Sequence, residues 1–495
     1  MKRIYLLTGT LISIVLSCTH KKDNVYLADG NQSIRQKIQR IESGLIPANI
    51  IVGEPDKTFT LSDRMKYFNV PGISIAVIKD HKVEWAKSYG VKEAGTKDTV
   101  GLNTMFQAAS MSKPITAMIA LKLEEENKID LKRDINQQLK KWHIPENEYT
   151  RKTAVTSELL MLHMGGVNVP SFPGYPATDS IPDVLGVLNG TPPSNTEAVK
   201  VVLTPNTKWS YSGGGYTILQ FLMEETTGTP FPRMMKNYLI DPLGLKNSTF
   251  EHNLTAGQQK QVAKGHREDG SVVPGGYYRY PEKAAAGLWT TPMEYAEMVI
   301  DLEKSYHGEP GRILKPETSR KMLKKYRGDM ALGIVLKNIG DSLALAYGGW
   351  NEGYMCDVYS YLKSGSGVVI MTNSNNGYFL IQEIYRSLAT VYEWPDFKPA
   401  TVKTVQVTSL VLAKYSGTFT AQLDVSRKLT FDLAQSPDGF YIVLDNRSFR
   451  LCPLSETEFL NPDQDWRIKF LDKDLMADSV EFSIRFESGI ARRLK

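Results

Sequence analysis

Ser110 and Lys113 stand three positions apart in the run Phe106-Gln107-Ala108-Ala109-Ser110-Met111-Ser112-Lys113-Pro114-Ile115-Thr116-Ala117. A serine hydroxyl is a weak nucleophile until a neighbour takes its proton. If this run opens a helix, residues three apart share a face, so the Lys113 amine can approach the Ser110 oxygen and serve as its base. Pro114 agrees with a helix start, because the first helical N–H groups have no internal partner to lose. The chemistry on offer is attack of a serine oxygen on a carbonyl. The same spacing recurs at Ser360-Tyr361-Leu362-Lys363, inside the alternating run Asp357 to Met371. Alternation predicts a strand, where positions three apart point to opposite faces, so Ser360 and Lys363 cannot cooperate.

The elements that must carry this pair can be read from the hydrophobic period. Ile73 to Tyr89 predicts a hairpin turning at Lys79-Asp80-His81-Lys82. From Phe106 to about Gly308 helical runs and loops dominate, including the Pro/Gly-rich stretch Pro170 to Pro193. Alternation returns from Leu343 to Thr372 as further strands of the same sheet, and Ile381 to Val391 predicts a closing helix. Beyond Trp394-Pro395-Asp396-Phe397-Lys398-Pro399, Leu429/Phe431/Leu433 and Val480/Phe482/Ile484/Phe486 alternate with other residues. A small β-sandwich or barrel from about Leu410 follows from that period.

Several separated segments, in order, resemble the serine β-lactamase and penicillin-binding protein superfamily, in its class C β-lactamase-like and esterase branch. They are Pro71-Gly72-Ile73-Ser74-Ile75-Ala76-Val77, the Ser110 run, Val155-Thr156-Ser157-Glu158-Leu159-Leu160-Met161-Leu162-His163-Met164-Gly165-Gly166, and Pro205-Asn206-Thr207-Lys208-Trp209-Ser210-Tyr211-Ser212-Gly213. Pro242-Leu243-Gly244-Leu245 and Ala286-Gly287-Leu288-Trp289-Thr290-Thr291 continue the series, and the match extends from about Thr60 to Leu388. The resemblance implies an α/β (α+β) fold: an antiparallel sheet flanked by helices plus a mostly helical lobe. Tyr415-Ser416-Gly417-Thr418-Phe419 resembles the start of the small all-β, lipocalin-like domain often appended to this family. Its implied role is structural, or that of a cover at the rim of the site.

The resemblance also implies roles. Ser110 is the nucleophile, and Lys113 and Tyr211 share its proton. A tyrosine needs a cationic neighbour to do this near neutral pH, and Lys113 supplies one. The oxyanion donors would be the backbone N–H groups of Ser110 and Trp350, the latter in Tyr347-Gly348-Gly349-Trp350. Two positions depart from the family pattern. Gly213 stands where an asparagine is usual, and Tyr347 where a lysine or histidine is usual. The missing cation commonly recognises a carboxylate, so both changes weaken the case for β-lactams and cell-wall peptides. Arg279 or Arg267 could replace it. The expected function is therefore a serine hydrolase acting on a small ester or amide. Alternatives are a D-amino-acid peptidase, penicillin-binding protein or weak β-lactamase, and a non-catalytic binding or sensing protein on the same scaffold.

The 495-residue length implies more than one folded unit, and the composition is that of a globular protein. A formal net charge of +5 with scattered basic residues argues against nucleic-acid binding. Lys2 and Arg3 precede an apolar run, Ile4 to Leu16, that is too short for a membrane span of about 20 residues. Val15-Leu16-Ser17-Cys18 resembles a bacterial lipobox, which implies a lipid on Cys18 and an envelope location facing the periplasm, anchored by lipid only. Cys356 and Cys452 can then form a disulfide or remain as two buried thiols, the latter being expected. No Cys/His spacing suggests a metal, and no phosphate or dinucleotide fingerprint suggests a cofactor. None is expected, and a monomer is. The expected boundaries are a signal peptide over 1–17, a tether over 18–45, the hydrolase domain over 46–395, a linker over 396–409 and the β-domain over 410–495.

Overall fold

The computed structural model describes residues 24–28, 32–423, 428–444, 447–471, 478–484 and 487–494. Cys18 and the signal segment lie outside them. The central element is a seven-stranded sheet: β1 (Val25–Leu27), β2 (Gly72–Lys79), β3 (Lys82–Gly90), β4 (Val335–Ile339), β5 (Ser342–Asn351), β6 (Tyr354–Tyr361) and β7 (Ser366–Thr372). Their spatial order is β1-β3-β2-β7-β6-β5-β4, and every neighbouring pair is antiparallel. The β2–β3 hairpin turns at Asp80 and His81, both at positive φ (51° and 56°). That is the backbone sign a tight two-residue hairpin turn requires at both central positions. Ser360 lies in β6, whereas Lys363 falls in the turn beyond its end.

Both faces of the sheet are covered, so its inner strands are buried along nearly their whole length. The alternation still sorts the side chains. Ala76, Val358, Cys356, Tyr347 and Met371 face one core, which they share with the helix Ser112–Glu125 and the helical lobe. Ile75, Met355, Tyr359, Ala346 and Ile370 face a second core, which they share with the terminal helices and the C-terminal domain.

The C-terminal domain is a closed barrel whose eight described strands run from Gly417 to Arg493. Phe419, Phe431, Phe440, Phe459, Phe470 and Phe482 are buried in its core. The barrel is thus packed by its own aromatic residues. It docks on the second core rather than at the rim of the Ser110 site: Phe379 packs against Phe449 and Trp466, and Arg447 donates to the backbone carbonyl of Tyr67. At the same junction Arg64 Nε donates to Glu383 Oε2 at 2.7 Å, a second Arg64 nitrogen bonds Glu383 Oε1, and Asp463 of the barrel completes the cluster. The expectation of a site cover is corrected accordingly.

Two boundary expectations also change. Within the 18–45 tether, Val25–Leu27 adds an edge strand to the sheet, and α1 (Gln32–Ser43) buries Ile34, Ile38 and Ile41. These isoleucines recur at helical spacing, giving α1 an apolar stripe that needs a partner. It finds one in α7 (Gly377–Tyr392), the helix expected to close the hydrolase unit. Within the 396–409 linker, Ala400–Val402 pairs in parallel with Asn49–Ile51, and Phe397 stacks on Tyr385. Asp396 accepts hydrogen bonds from Tyr359 and Tyr361. Residues 396–402 are thus packed against the protein, whereas most of 403–409 is exposed.

Candidate active site

The Ser110 run folds as a short 3-10 turn, Ala109–Met111, leading into α3 (Ser112–Glu125). Ala109 is held at φ 48° immediately before Ser110. A residue with a Cβ rarely adopts that conformation, and it persists only where its surroundings enforce it. Lys113, on the first turn of α3, is 2% exposed, and its Nζ lies 3.0 Å from Ser110 Oγ. A second bond fixes it, to the carbonyl of Ala285 at 2.9 Å in α5 (Lys283–Ala286). Tyr211 approaches from another element, and its hydroxyl donates to Ser110 Oγ at 2.8 Å. Ser110, Lys113 and Tyr211 are therefore brought together.

Burial alone would raise the Tyr211 hydroxyl's pKa. The Lys113 charge, with hydrogen bonds to Lys113 and Ser110 and the nearby Tyr347 hydroxyl, outweighs burial and holds it below the ordinary tyrosine value. Lys113 Nζ lies 5.0 Å from the centre of the Tyr211 ring, so the cation is placed where it can do this. The Tyr347 hydroxyl is itself buried and completes no hydrogen bond of good geometry.

His163 positions Tyr211, and the sequence reading gave it no role although it stood inside a quoted motif. It follows a short helix, Ser157–Met161, which Thr156 caps by accepting from Leu159 N. The His163 carbonyl accepts from Ser210 N at 2.9 Å, and its Nδ1 accepts from Ser212 N at 3.1 Å. Its ring sits 4.4 Å from that of Tyr211. Burial first, and then the Lys113 charge, push its pKa down to about 3, so it is a neutral imidazole at ordinary pH. A neutral ring can accept from Ser212 N, as this geometry demands. Ser212 in turn caps α4 (Gly213–Thr227), accepting from Gly215 N at 2.9 Å.

The opposite wall is the late strand. β4 pairs with β5 only over Ser342–Ala346, which leaves the outer edge of Tyr347–Asn351 to face the nucleophile turn. Gly349 makes that approach. A Cβ there would stand 2.4 Å from the Ala108 carbonyl and 3.0 Å from Ser110 N, so only glycine fits. Trp350 is 53% exposed, and its Nε1 donates to Asn375 at 3.1 Å. The next residue, Asn351, was not anticipated. Its amide donates to Gln107 at 2.7 Å and to the Ala286 carbonyl at 3.1 Å, tying β5 to the nucleophile segment and to α5. Cys356 Sγ contacts the Ala108 carbonyl at 3.0 Å, and Cys356 and Cys452 are both buried free thiols.

The remaining candidates are placed as follows. Gly213 is the first residue of α4, two positions after Tyr211. Arg267 pairs with Glu352 at 2.8 Å and also donates to the Tyr278 hydroxyl at 3.3 Å. Arg279 donates to Asn253 at 3.2 Å and to the Asp179 carbonyl. Both arginines are thus engaged by protein acceptors. Ser360 donates to the buried Glu303 at 2.5 Å, a structural bond away from Ser110.

The Beta-lactamase family matches residues 60–390. Protein flp of Staphylococcus aureus (strain MRSA252) is 23% identical over 328 residues, covering 63% of this chain and 61% of that protein. The chain therefore spans about three fifths of the length of that relative. Unguisins hydrolase ungD of Aspergillus violaceofuscus is 25% identical over 260 residues, 48% of this chain and 43% of that one. Among solved structures, the octameric penicillin-binding protein homologue from Pyrococcus abyssi superposes with a TM-score of 0.57 at 20% identity, covering 87% of this chain and 98% of that chain. The D-amino acid amidase from Ochrobactrum anthropi SV3 gives 0.55 at 18% identity, covering 73% and 97%. With the matched segment running from just before α2 (Leu61–Tyr67) to near the end of α7, and so containing Ser110, Lys113 and Tyr211, the chain belongs to the Beta-lactamase family.

Proposed function

We propose that this chain is a serine hydrolase that works through an acyl-enzyme on a small ester or amide. The observation that carries the reading is the convergence of Lys113 Nζ and the Tyr211 hydroxyl on one oxygen, Ser110 Oγ, at 3.0 and 2.8 Å. In the reaction Ser110 Oγ bonds to the substrate carbonyl carbon as its proton passes to the Tyr211/Lys113 pair. The carbonyl oxygen takes up negative charge, which the backbone N–H groups of Ser110 and Trp350 stabilise. The tetrahedral adduct then collapses, the bond to the leaving alcohol or amine breaks, and that group takes the proton from the pair. Water gives a proton to the same pair and attacks the acyl-Ser110 carbonyl carbon; the bond to Ser110 Oγ then breaks, Ser110 takes the proton back from the pair, and the acid is released.

An ester or a simple amide fits better than a β-lactam. Tyr347 offers a neutral hydroxyl where a carboxylate-bearing substrate would call for a cation, and Arg267 is already paired with Glu352. Intact-mass analysis after treatment with a fluorophosphonate tests the nucleophile. One adduct that maps to Ser110 and is absent from Ser110→Ala is expected, and an adduct elsewhere would contradict the reading.

We further propose that Cys18 carries lipid and holds the enzyme at the cell envelope, facing the periplasm. Detergent-phase partitioning of the wild type, lost in Cys18→Ala, is the expected result. Equal partitioning of the two would refute it.

A further inference from the structure

We propose that Phe172, packed against Gly213, forms the wall of an apolar acyl subsite, so that the enzyme prefers uncharged substrates with an aromatic or alkyl group on the acyl side. This inference rests on the serine-hydrolase reading of Ser110 and specifies what that site selects.

Any side chain at position 213 must begin at its Cβ. A Cβ built on Gly213 would lie 2.6 Å from Cε2 of Phe172 and 3.2 Å from the Pro170 carbonyl. The phenyl ring therefore occupies the space into which a polar side chain at 213 would project. It is not a loose surface ring. Gly213 N donates to the Pro170 carbonyl at 3.1 Å, Gly214 N to the Val169 carbonyl at 3.0 Å, and Ser212 Oγ to the Asn168 carbonyl at 2.8 Å. Three bonds thus clamp the segment 168–170 onto the start of α4, two residues past Tyr211. Two residues further on, Gly174 closes the same segment against Tyr280, where a Cβ would meet the tyrosine ring at 2.5 Å.

The surroundings have the same character. Among the described residues, the exposed tryptophans are Trp209 and Trp350. Trp209 lies two positions before Tyr211, with ring centres 6.4 Å apart, whereas Trp350 alternates with Gly349 on β5 and turns its ring to the other face of the sheet, toward Asn375. An exposed aromatic ring beside Tyr211 is what an apolar substrate group needs in order to leave water. Charge recognition is correspondingly weak. Tyr347 is uncharged, and Arg267 and Arg279 are held by Glu352, Asn253 and the Asp179 carbonyl. An acyl group carrying a carboxylate would have to shed its hydration with no cation at the Tyr347 position to receive it.

The test uses the full chain and a set of p-nitrophenyl esters: acetyl, butanoyl, hexanoyl, phenylacetyl and succinyl. For the wild type, kcat/KM is expected to rise about two- to fourfold per added methylene up to hexanoyl, as burial of methylenes predicts. Phenylacetyl should exceed succinyl by at least tenfold. In Phe172→Ala the hexanoyl-to-acetyl ratio should fall toward one, mainly through KM, and Phe172→Leu should restore most of it. Succinyl hydrolysed as fast as phenylacetyl by the wild type overturns the proposal without any variant. So does an unchanged chain-length ratio in a folded Phe172→Ala. Failure of the parent reading looks different: no ester is turned over, and no fluorophosphonate adduct forms at Ser110, in which case both fall.

Discussion

Lys113 is tied to the carbonyl of Ala285, so the lysine's aim at Ser110 is set by α5 as well as by its own helix. Nζ lies 2.9 Å from that carbonyl oxygen and 3.0 Å from Ser110 Oγ. A flexible side chain with one partner would sample many rotamers, whereas two fixed partners select one. Lys113→Ala should lower kcat/KM for ester hydrolysis by about 10²- to 10⁴-fold, the range for loss of a proton-transfer group. Lys113→Arg should fare little better, because the longer planar guanidinium cannot reproduce the paired contacts to Ser110 and Ala285 that aim the ammonium. Steady-state kinetics on variants that melt cooperatively checks this. Activity within threefold of wild type in Lys113→Ala would remove lysine from the mechanism.

Tyr211 gives the pH prediction. Its folded-state hydroxyl titrates below the ordinary tyrosine value, where burial is overcome by the adjacent ammonium. The base form is favoured as pH rises, so kcat/KM should climb with pH and level off before the ordinary tyrosine range near pH 10. Tyr211→Phe should abolish that rising limb together with most of the activity. A pH profile that is flat in the wild type, or identical in shape in Tyr211→Phe, contradicts the assignment.

Gly349 tests the other wall of the site. The nearest atom that a new Cβ would meet, the Ala108 carbonyl oxygen at 2.4 Å, belongs to the backbone, so moving the Cys356 side chain, also within 2.7 Å, does not relieve the clash. Gly349→Val should push the strand and the nucleophile turn apart. A misplacement of about 1 Å can cost about 10²-fold in rate. We expect that loss in kcat, with a fall in Tm of only a few degrees. Retained kcat would mean that β5 does not set the position of Ser110.

Glu282 should shape stability rather than catalysis. It is fully buried, neither carboxylate oxygen has a hydrogen-bond partner, and burial raises its pKa to about 8. Between its unfolded value of about 4.5 and about 8 the folded protein binds more protons than the unfolded chain, so this residue's contribution falls as pH rises. At its steepest the slope is about 1.4 kcal/mol per pH unit. Glu282→Gln removes the titration, so Tm of the variant relative to wild type should increase from pH 5 to pH 8.5. A constant difference across that range would show that Glu282 does not titrate there.

Much of the candidate site was legible because its chemistry is local in sequence. Ser110 and Lys113 are one helical turn apart, and the Tyr211 loop and the Gly349 strand stand in segments with recognisable composition. The β2–β3 hairpin and the late strands were legible from their period, and so was the all-β character of the tail. What escaped the sequence reading depends on contacts between distant segments. The role of His163 appears only when Ser212 N is brought to its ring. Phe172 lies 41 positions before Gly213, and nothing in either segment announces that the ring stands where a Cβ would be. In α1, three isoleucines did carry a helical stripe, but they sat in a stretch whose polar surroundings read as a tether. The side on which the barrel docks was settled by long-range partners, Arg64 with Glu383 and Phe379 with Trp466, that no local period encodes.

The most direct test is hydrolysis of p-nitrophenyl butyrate and a chromogenic cephalosporin, side by side, by the wild-type chain and Ser110→Ala. The account predicts ester turnover by the wild type, its loss in the variant by about 10³-fold or more, and little or no cephalosporin turnover by either. Ester hydrolysis that persists undiminished in Ser110→Ala would contradict it.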